Sequence, residues 1–324
     1  MTAESADAAR NITRLGVGLA AIGRPAYINL GRAEALPAER TVDELRATSW
    51  AVLDAAYATG VRWVDVARSY GRAEEFLAGW LTAGAHEGAI AGSKWGYRYT
   101  ADWRLDAKVN EVKEHSLAMF TRQLGQTRAL LGDRLALYQV HSLTEDSPLF
   151  GDSALLAAMA ALRDQGVLIG LSTSGPQQAD TVRRALGVEA GGAPLFAAVQ
   201  VTWNLLEPSV GVAAGEAAEA GWTVLVKEPV ANGRLAPGGD AAVPDSPLAR
   251  FAAGANATPD AVAIAAALAQ PWATVVLSGA VSPAQLQSNL AALRLAIAPG
   301  AGTELGLAEP AAAYWSARAA RPWA

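Results

Sequence analysis

Two hydrophobic rhythms alternate along the chain. Short apolar runs are separated by longer Ala- and Leu-rich stretches whose apolar positions recur with helical spacing. The short runs predict eight strands, at 14–20 (RLGVGLA), 61–66 (VRWVDV), 89–94 (AIAGSK), 135–141 (LALYQVH), 167–172 (VLIGLS), 197–202 (AAVQVT), 222–227 (WTVLVK) and 274–278 (TVVLS). Helices are predicted near 41–58, 72–83, 108–124, 153–165, 177–186, 209–219, 258–270 and 283–294. Several helix starts are marked: Thr41 with Glu44 reads as a capping box, and Thr258-Pro259 and Ser282-Pro283 as a cap followed by a first-turn proline. The strands are apolar nearly throughout instead of alternating, as expected when both faces are covered. Eight βα repeats with no break in composition predict one (β/α)8 barrel domain over residues 1–324, with a doubly wound sheet as the competing arrangement. The Gly- and Pro-rich stretches 188–194 and 236–247 read as loops, and a tail helix near 308–320 is expected over one mouth.

Composition narrows the function classes. The 324 residues carry a net charge of −5 with acids and bases interspersed, which is not the footprint of a nucleic-acid binder. Cysteine is absent, excluding disulfides, thiolate nucleophiles and Cys-based zinc sites, and three histidines make a His-rich metal site unexpected. The first residues, MTAESADAARNITR, hold Glu4 and Asp7 and lack the apolar core of a secretory signal. The apolar stretch 261–281 is divided by Gln270, Pro271 and Trp272 and reads as core, not as a membrane span. A cytoplasmic location is the default expectation. No heptad or exposed apolar run argues for an oligomer.

Three motif matches fail on context. Gly16-x-Gly18-x-x-Ala21 imitates a dinucleotide fingerprint, but Gly23, Pro25 and Gly31 preclude the helix that must follow it. The stretch Gly170 to Gly175 misses a nucleophile elbow by one place, and no histidine follows Ser172 to complete a triad. His86-Glu87 reads as a solvated loop pair.

In a barrel of this class, chemistry sits where the strands end. Strand two ends at Asp65 with Tyr70 just beyond, strand three at Lys94, and strand four at His141. Each residue alone has an ordinary reading as a loop acid, a packing aromatic, a rim lysine or a core histidine. Four of them on three consecutive strands form a carbonyl-reducing general acid. A nearby lysine is expected to lower the phenol pKa, the carboxylate fixes the lysine, and the imidazole orients a carbonyl oxygen.

These residues carry a resemblance to the aldo-keto reductases that runs from RLGVGLAAIG to QLQSNLAAL. "VRWVDVARSYGRAEEFLAGWL", "AGSKWG" and "LYQVHS" are similar to that family's aspartate-tyrosine, lysine and histidine segments. The resemblance implies a catalytic tetrad of Asp65, Tyr70, Lys94 and His141, and an NADPH or NADH cofactor extended across the barrel mouth. It implies that Ser172, Thr173 and Gln200 hold the carboxamide, and that Ser278, Gly279, Ser282, Gln285 and Asn289 hold the phosphates and adenine. Lys227 stands where the family has an aromatic stacked on the nicotinamide. The usual cations for a 2′-phosphate are missing, leaving Arg234 as the candidate replacement and opening the site to NADH. Tyr27 and Trp95 are expected against a small carbonyl or sugar substrate, and Arg68 suggests an anionic or polyhydroxylated one. Family members also include redox-sensing regulatory subunits with slow turnover, which is the alternative reading. Glu74 and Glu75 read as ordinary first-turn acids.

Overall fold

The computed structural model describes residues 14–84, 86–300 and 304–323; the N-terminal segment read above as leaderless lies outside them. Eight parallel strands close on themselves: β1 (Leu15–Gly18), β2 (Trp63–Asp65), β3 (Ile90–Trp95), β4 (Leu135–Leu143), β5 (Leu168–Thr173), β6 (Ala198–Thr202), β7 (Thr223–Lys227) and β8 (Val275–Ser278). The order runs β1 to β8 around the ring, and β1 returns to β8 through Leu15 beside Val276. The doubly wound sheet is thereby excluded in favour of a (β/α)8 barrel.

An outer ring follows, α1 (Val42–Ala58), α2 (Ala73–Ala83), α3 (Leu117–Leu131), α4 (Ser153–Arg163), α5 (Gln178–Leu186), α6 (Gly211–Glu219), α7 (Pro259–Leu268) and α8 (Pro283–Leu290). Local chemistry fixes their starts. Thr41 and Glu44 close the capping box on α1, and Ser282 accepts from the Gln285 amide at the head of α8. The apolar stretch from residue 261 divides into the buried α7 and strand β8, and among the described residues no single helix is long and apolar enough to cross a membrane.

One helix is displaced from its predicted position. Residues 108–116 do not join α3; Glu111–Lys113 pairs antiparallel with Tyr97–Tyr99 as a hairpin over the barrel mouth. Val109 and Val112 mimic a helical face in sequence but are exposed here, and Ser116 caps the helix that starts after them. The tail helix occupies Ala311–Ala319, and an unpredicted helix, Pro247–Gly254, follows the loop that begins at 236.

The turn after β2 is braced by neighbours on both sides. Val66 and Arg68 donate their amides to the carbonyls of Gly92 and Lys94, at 2.9 and 3.1 Å, extending the β3 ladder past the end of the strand. Gly71 has φ 60°, and a Cβ there would run into the Gly23 carbonyl oxygen, which itself accepts from the Arg72 amide at 2.8 Å. Gly71→Ala is expected to cost about 1–3 kcal/mol from the left-handed backbone, with the clash added, read as a lower urea midpoint.

Candidate active site

Strand alternation organises the barrel interior into layers. Trp63, Leu137, Ala198, Leu225, Val275 and Leu277 form an apolar plug. Two residues further along four of those strands, on the same face, stand Asp65, Gln139, Gln200 and Lys227. The change from apolar to polar therefore occurs within one pleat, at the end of the barrel where the strands finish.

Asp65 is the junction of this polar layer. Lys94 forms an ion pair with it and also donates to the Val66 carbonyl at 3.1 Å. Gln200 Nε2 donates to Asp65 Oδ1 at 2.8 Å, with Gln139 Nε2 at a longer 3.4 Å. Both charges are out of water, a cost of several kcal/mol per ion that only close pairing and added hydrogen bonds offset. Burial lowers the Lys94 pKa, and Asp65 works against that shift.

Tyr70 lies against three charged or polar groups. Lys94 Nζ is 4.8 Å from its ring centroid, the Arg24 guanidinium 5.1 Å, and the His141 ring meets it edge-on at 5.4 Å. The expected depression of the phenol pKa is not found. Burial pushes it well above its ordinary value and the Asp65 charge adds to this, while Arg24 pulls the other way. Asp65 screens Lys94, so the proton stays on the phenol.

His141 is not the last residue of its strand. The β4–β5 register breaks between Val140 and Leu143, and Ser142 takes φ 51°, a bulge that redirects the imidazole. Its Nδ1 lies 3.3 Å from Ser69 Oγ, and Tyr97 of the hairpin packs on it at 5.0 Å. Burial holds its pKa well below the ordinary histidine value, with Lys94 and Arg24 adding to this, so the ring is neutral. Behind it, His115 Nε2 is 2.9 Å from the His141 carbonyl and Nδ1 is 2.8 Å from Ser147 Oγ. Burial drops His115 to about 4, so it holds the strand end as a neutral bridge.

A solvent-open cleft with about 580 Å³ of empty space lies beside Tyr70. Its lining includes Asp65, Tyr70, Gln200, Lys227, Ser278, Gly279 and Tyr27 from the expected set. It also includes Asn29 and Asn232, which the sequence reading did not single out, together with Glu228 and with Gly18 of the rejected fingerprint; Asn232 donates to Asn29 at 2.9 Å across it. A Cβ on Gly279 would meet nothing within 4 Å and one on Gly18 only the Ser278 carbonyl at 3.8 Å, so these glycines leave open a shelf that side chains would fill.

The remaining expected residues are engaged elsewhere. Trp95 is buried in the core against Phe120 and His115 and does not line the cavity, because alternation points it opposite to Lys94. Ser172 accepts from the Ser142 amide, and Thr173 donates to Gln178. Ser282 and the Gln285 side chain cap the α8 turn, the latter accepting from the Val281 amide. Asn289 is held between Ser278 and Asp260. Arg234 forms ion pairs with Glu309 and Asp240, so its charge is matched within the fold. Arg68 turns its guanidinium into Glu74 at 2.5 Å and does not line the cavity.

Glu74 departs furthest from its sequence reading. Instead of a solvated first-turn acid it is buried, accepting from Ser93 and Thr127 at 2.5 and 2.8 Å as well as from Arg68. It ties α2, β3 and α3 to the turn that carries Tyr70.

The residues 15–299 match the family model described as the aldo/keto reductase family. The chain belongs to that family. No curated protein matches the sequence at a significant level. Among solved structures, this aldo-keto reductase is similar to one of the same family from Bacillus halodurans, at 19% identity and TM-score 0.65, over 92% of this chain and 93% of that one. A glycerol dehydrogenase from Gluconobacter oxydans also gives 19% and 0.65, over 90% of each chain. A Pseudomonas aeruginosa protein assigned to the aldo-keto reductases gives 24% and 0.60, over 87% and 90%. At these identities the structural likeness is one of fold.

Glu74→Ala would strand a half-buried guanidinium and two buried hydroxyls. A loss of about 3–5 kcal/mol is expected by chemical denaturation, with Glu74→Gln retaining part of it by keeping one acceptor.

Proposed function

We propose that this aldo-keto reductase reduces a small aldehyde, ketone or sugar carbonyl, with Tyr70 as the proton donor and a nicotinamide dinucleotide as the reductant. The observation that carries the reading is Tyr70, held protonated at the cavity wall beside a neutral imidazole and an ion-paired lysine. The cofactor fits the donor set. Gln200 and Ser278 offer polar side chains in the same cavity, and Gly18 and Gly279 leave room for a flat ring and a phosphate chain. When bound, the dihydronicotinamide supplies the hydride.

The chain supplies the rest. In the tautomer in which Ser69 Oγ donates to His141 Nδ1, the imidazole carries its hydrogen on Nε2 and can fix a carbonyl oxygen. That oxygen then receives the Tyr70 proton as negative charge develops on it, and the phenolate left behind is stabilised by the cations of Lys94 and Arg24 against its ring. Asp65, clamped by Gln200 and Gln139, keeps Lys94 in place.

NADH is the expected partner over NADPH. A 2′-phosphate without a cation loses its charge-assisted hydrogen bonds. Gln285 is turned inward to cap α8, and Arg234 is matched by two carboxylates. Affinity for NADPH is expected to be no greater than for NADH when each is titrated by quenching of tryptophan fluorescence.

Tyr70→Phe is expected to lower kcat by at least about a hundredfold, in line with loss of a general acid, while NADH binding persists. Unchanged turnover would remove Tyr70 from the role. Because the phenol pKa is raised, reduction at saturating cofactor should hold its rate through pH 9, whereas alcohol oxidation, which needs the phenolate, should climb steadily over the same range. Repeated turnovers on a panel of aldehydes and sugars would separate an enzyme from a cofactor-binding regulatory subunit.

A further inference from the structure

Four cations cluster around the cavity, and three have a carboxylate of their own. Lys94 is paired with Asp65, Arg24 with Glu111 at 3.0 Å, and Arg318 of the tail helix with Glu228. The fourth is Lys227, which forms no ion pair within 4 Å among the described residues. Its ammonium donates to Thr202 Oγ1 and lies 5.7 Å from the Trp315 ring centroid. Lys227 also lines the cavity, on the strand layer shared by Asp65 and Gln200. The polar layer therefore presents to the cavity a positive charge that has no ion pair of its own.

We propose that Lys227 makes the site discriminate between the two oxidation states of the nicotinamide, holding the reduced form and expelling the oxidised one. This rests on the reading that a nicotinamide occupies the cavity beside Tyr70. A hydride donor must lie close to the carbonyl carbon whose oxygen Tyr70 protonates, and the cavity that contains Tyr70 also contains Lys227. The dihydronicotinamide ring is uncharged, whereas the oxidised ring carries a full positive charge. An ammonium beside it is tolerated by the first and repels the second, and low local dielectric strengthens the repulsion. An aromatic at this position would favour the oxidised cation through its π face; a lysine reverses that preference. The consequence is a binding bias toward the reduced cofactor and prompt release of the oxidised one, which raises the potential of the bound couple.

The bias also acquires a pH dependence. Burial lowers the Lys227 pKa to about 8, with Glu228 and Asp65 opposing the shift and Arg318 and Lys94 adding to it. Of the other charged and titratable groups around it, Tyr27 and Tyr70 line the same cavity and keep their protons, burial raising both phenols. Asp65 from β2 and Lys94 from β3 are paired with each other, Glu228 and Arg318 likewise, and His141 from β4 stays neutral. As pH rises past about 8, Lys227 loses its charge and the discrimination should fade.

The test is a pair of binding constants, Kd for NADH by fluorescence and Kd for NAD+ by calorimetry, at pH 6.5 and pH 9.5 without substrate. For the unaltered protein, Kd for NAD+ is expected to exceed that for NADH by on the order of tenfold to a hundredfold at the lower pH, narrowing severalfold at the higher. Each tenfold corresponds to about 30 mV in the potential of the bound couple. Lys227→Met should close the gap at pH 6.5 without weakening NADH binding, and Lys227→Arg should keep it open at pH 9.5. Circular dichroism checks that both variants are folded, and an unfolded Met variant leaves the Arg variant as the deciding measurement. Binding of both forms with equal affinity at pH 6.5, or an unchanged gap in Lys227→Met, overturns the inference while leaving the proposed function standing. Failure of both cofactor forms to bind overturns both.

Discussion

The ion pair between Lys94 and Asp65 sets the terms for everything around it. Two opposite charges at the centre of a barrel mouth are stable only if their remaining hydrogen-bonding capacity is met. Gln200, Gln139 and the Val66 carbonyl meet it. The pair and those partners come from four different strands or their ends, so the pair records whether the barrel has closed in register. It also decides the electrostatics of Tyr70. Since Asp65 cancels much of the lysine's field, the phenol keeps its proton, and its neighbours Arg24 and His141 matter more than their distance in sequence suggests.

Much of this arrangement was legible because strands obey a two-residue period. The apolar runs gave the barrel, and asking which polar side chains end them led to Asp65, Lys94 and His141. The same period carried information that was passed over. Gln139 stands two residues before His141 on the inward face, and Trp95, one residue after Lys94, must face the opposite way, into the layer between strands and helices. Both placements follow from alternation alone.

Other features could not be read locally. Glu74 has the sequence context of a solvated helix-start acid, and only the convergence of Ser93, Thr127 and Arg68 makes it a buried junction. Arg234 is an unremarkable loop cation until Glu309, 75 residues away, closes on it. The hairpin at 97–113 displaced a predicted helix because Val109 and Val112, exposed on it, supply the spacing of an amphipathic face without being buried. In each case the deciding partner is distant in sequence, and periodicity carries no signal about it.

The tail beyond residue 299 lies outside the segment that matches the family, yet it grips the cavity at two points. Arg318 holds Glu228, and Trp323 packs edge-on against Tyr27 while covering Arg24. The groups proposed to react are mounted on strands and on the turn after β2, whereas part of the wall that shapes the cavity is buttressed by the tail. Such a division lets the two evolve at different rates. Changes in the tail can resize or reshape what is admitted without disturbing the register that holds Asp65, Lys94 and His141, so new substrates can be sampled on an unchanged chemical platform.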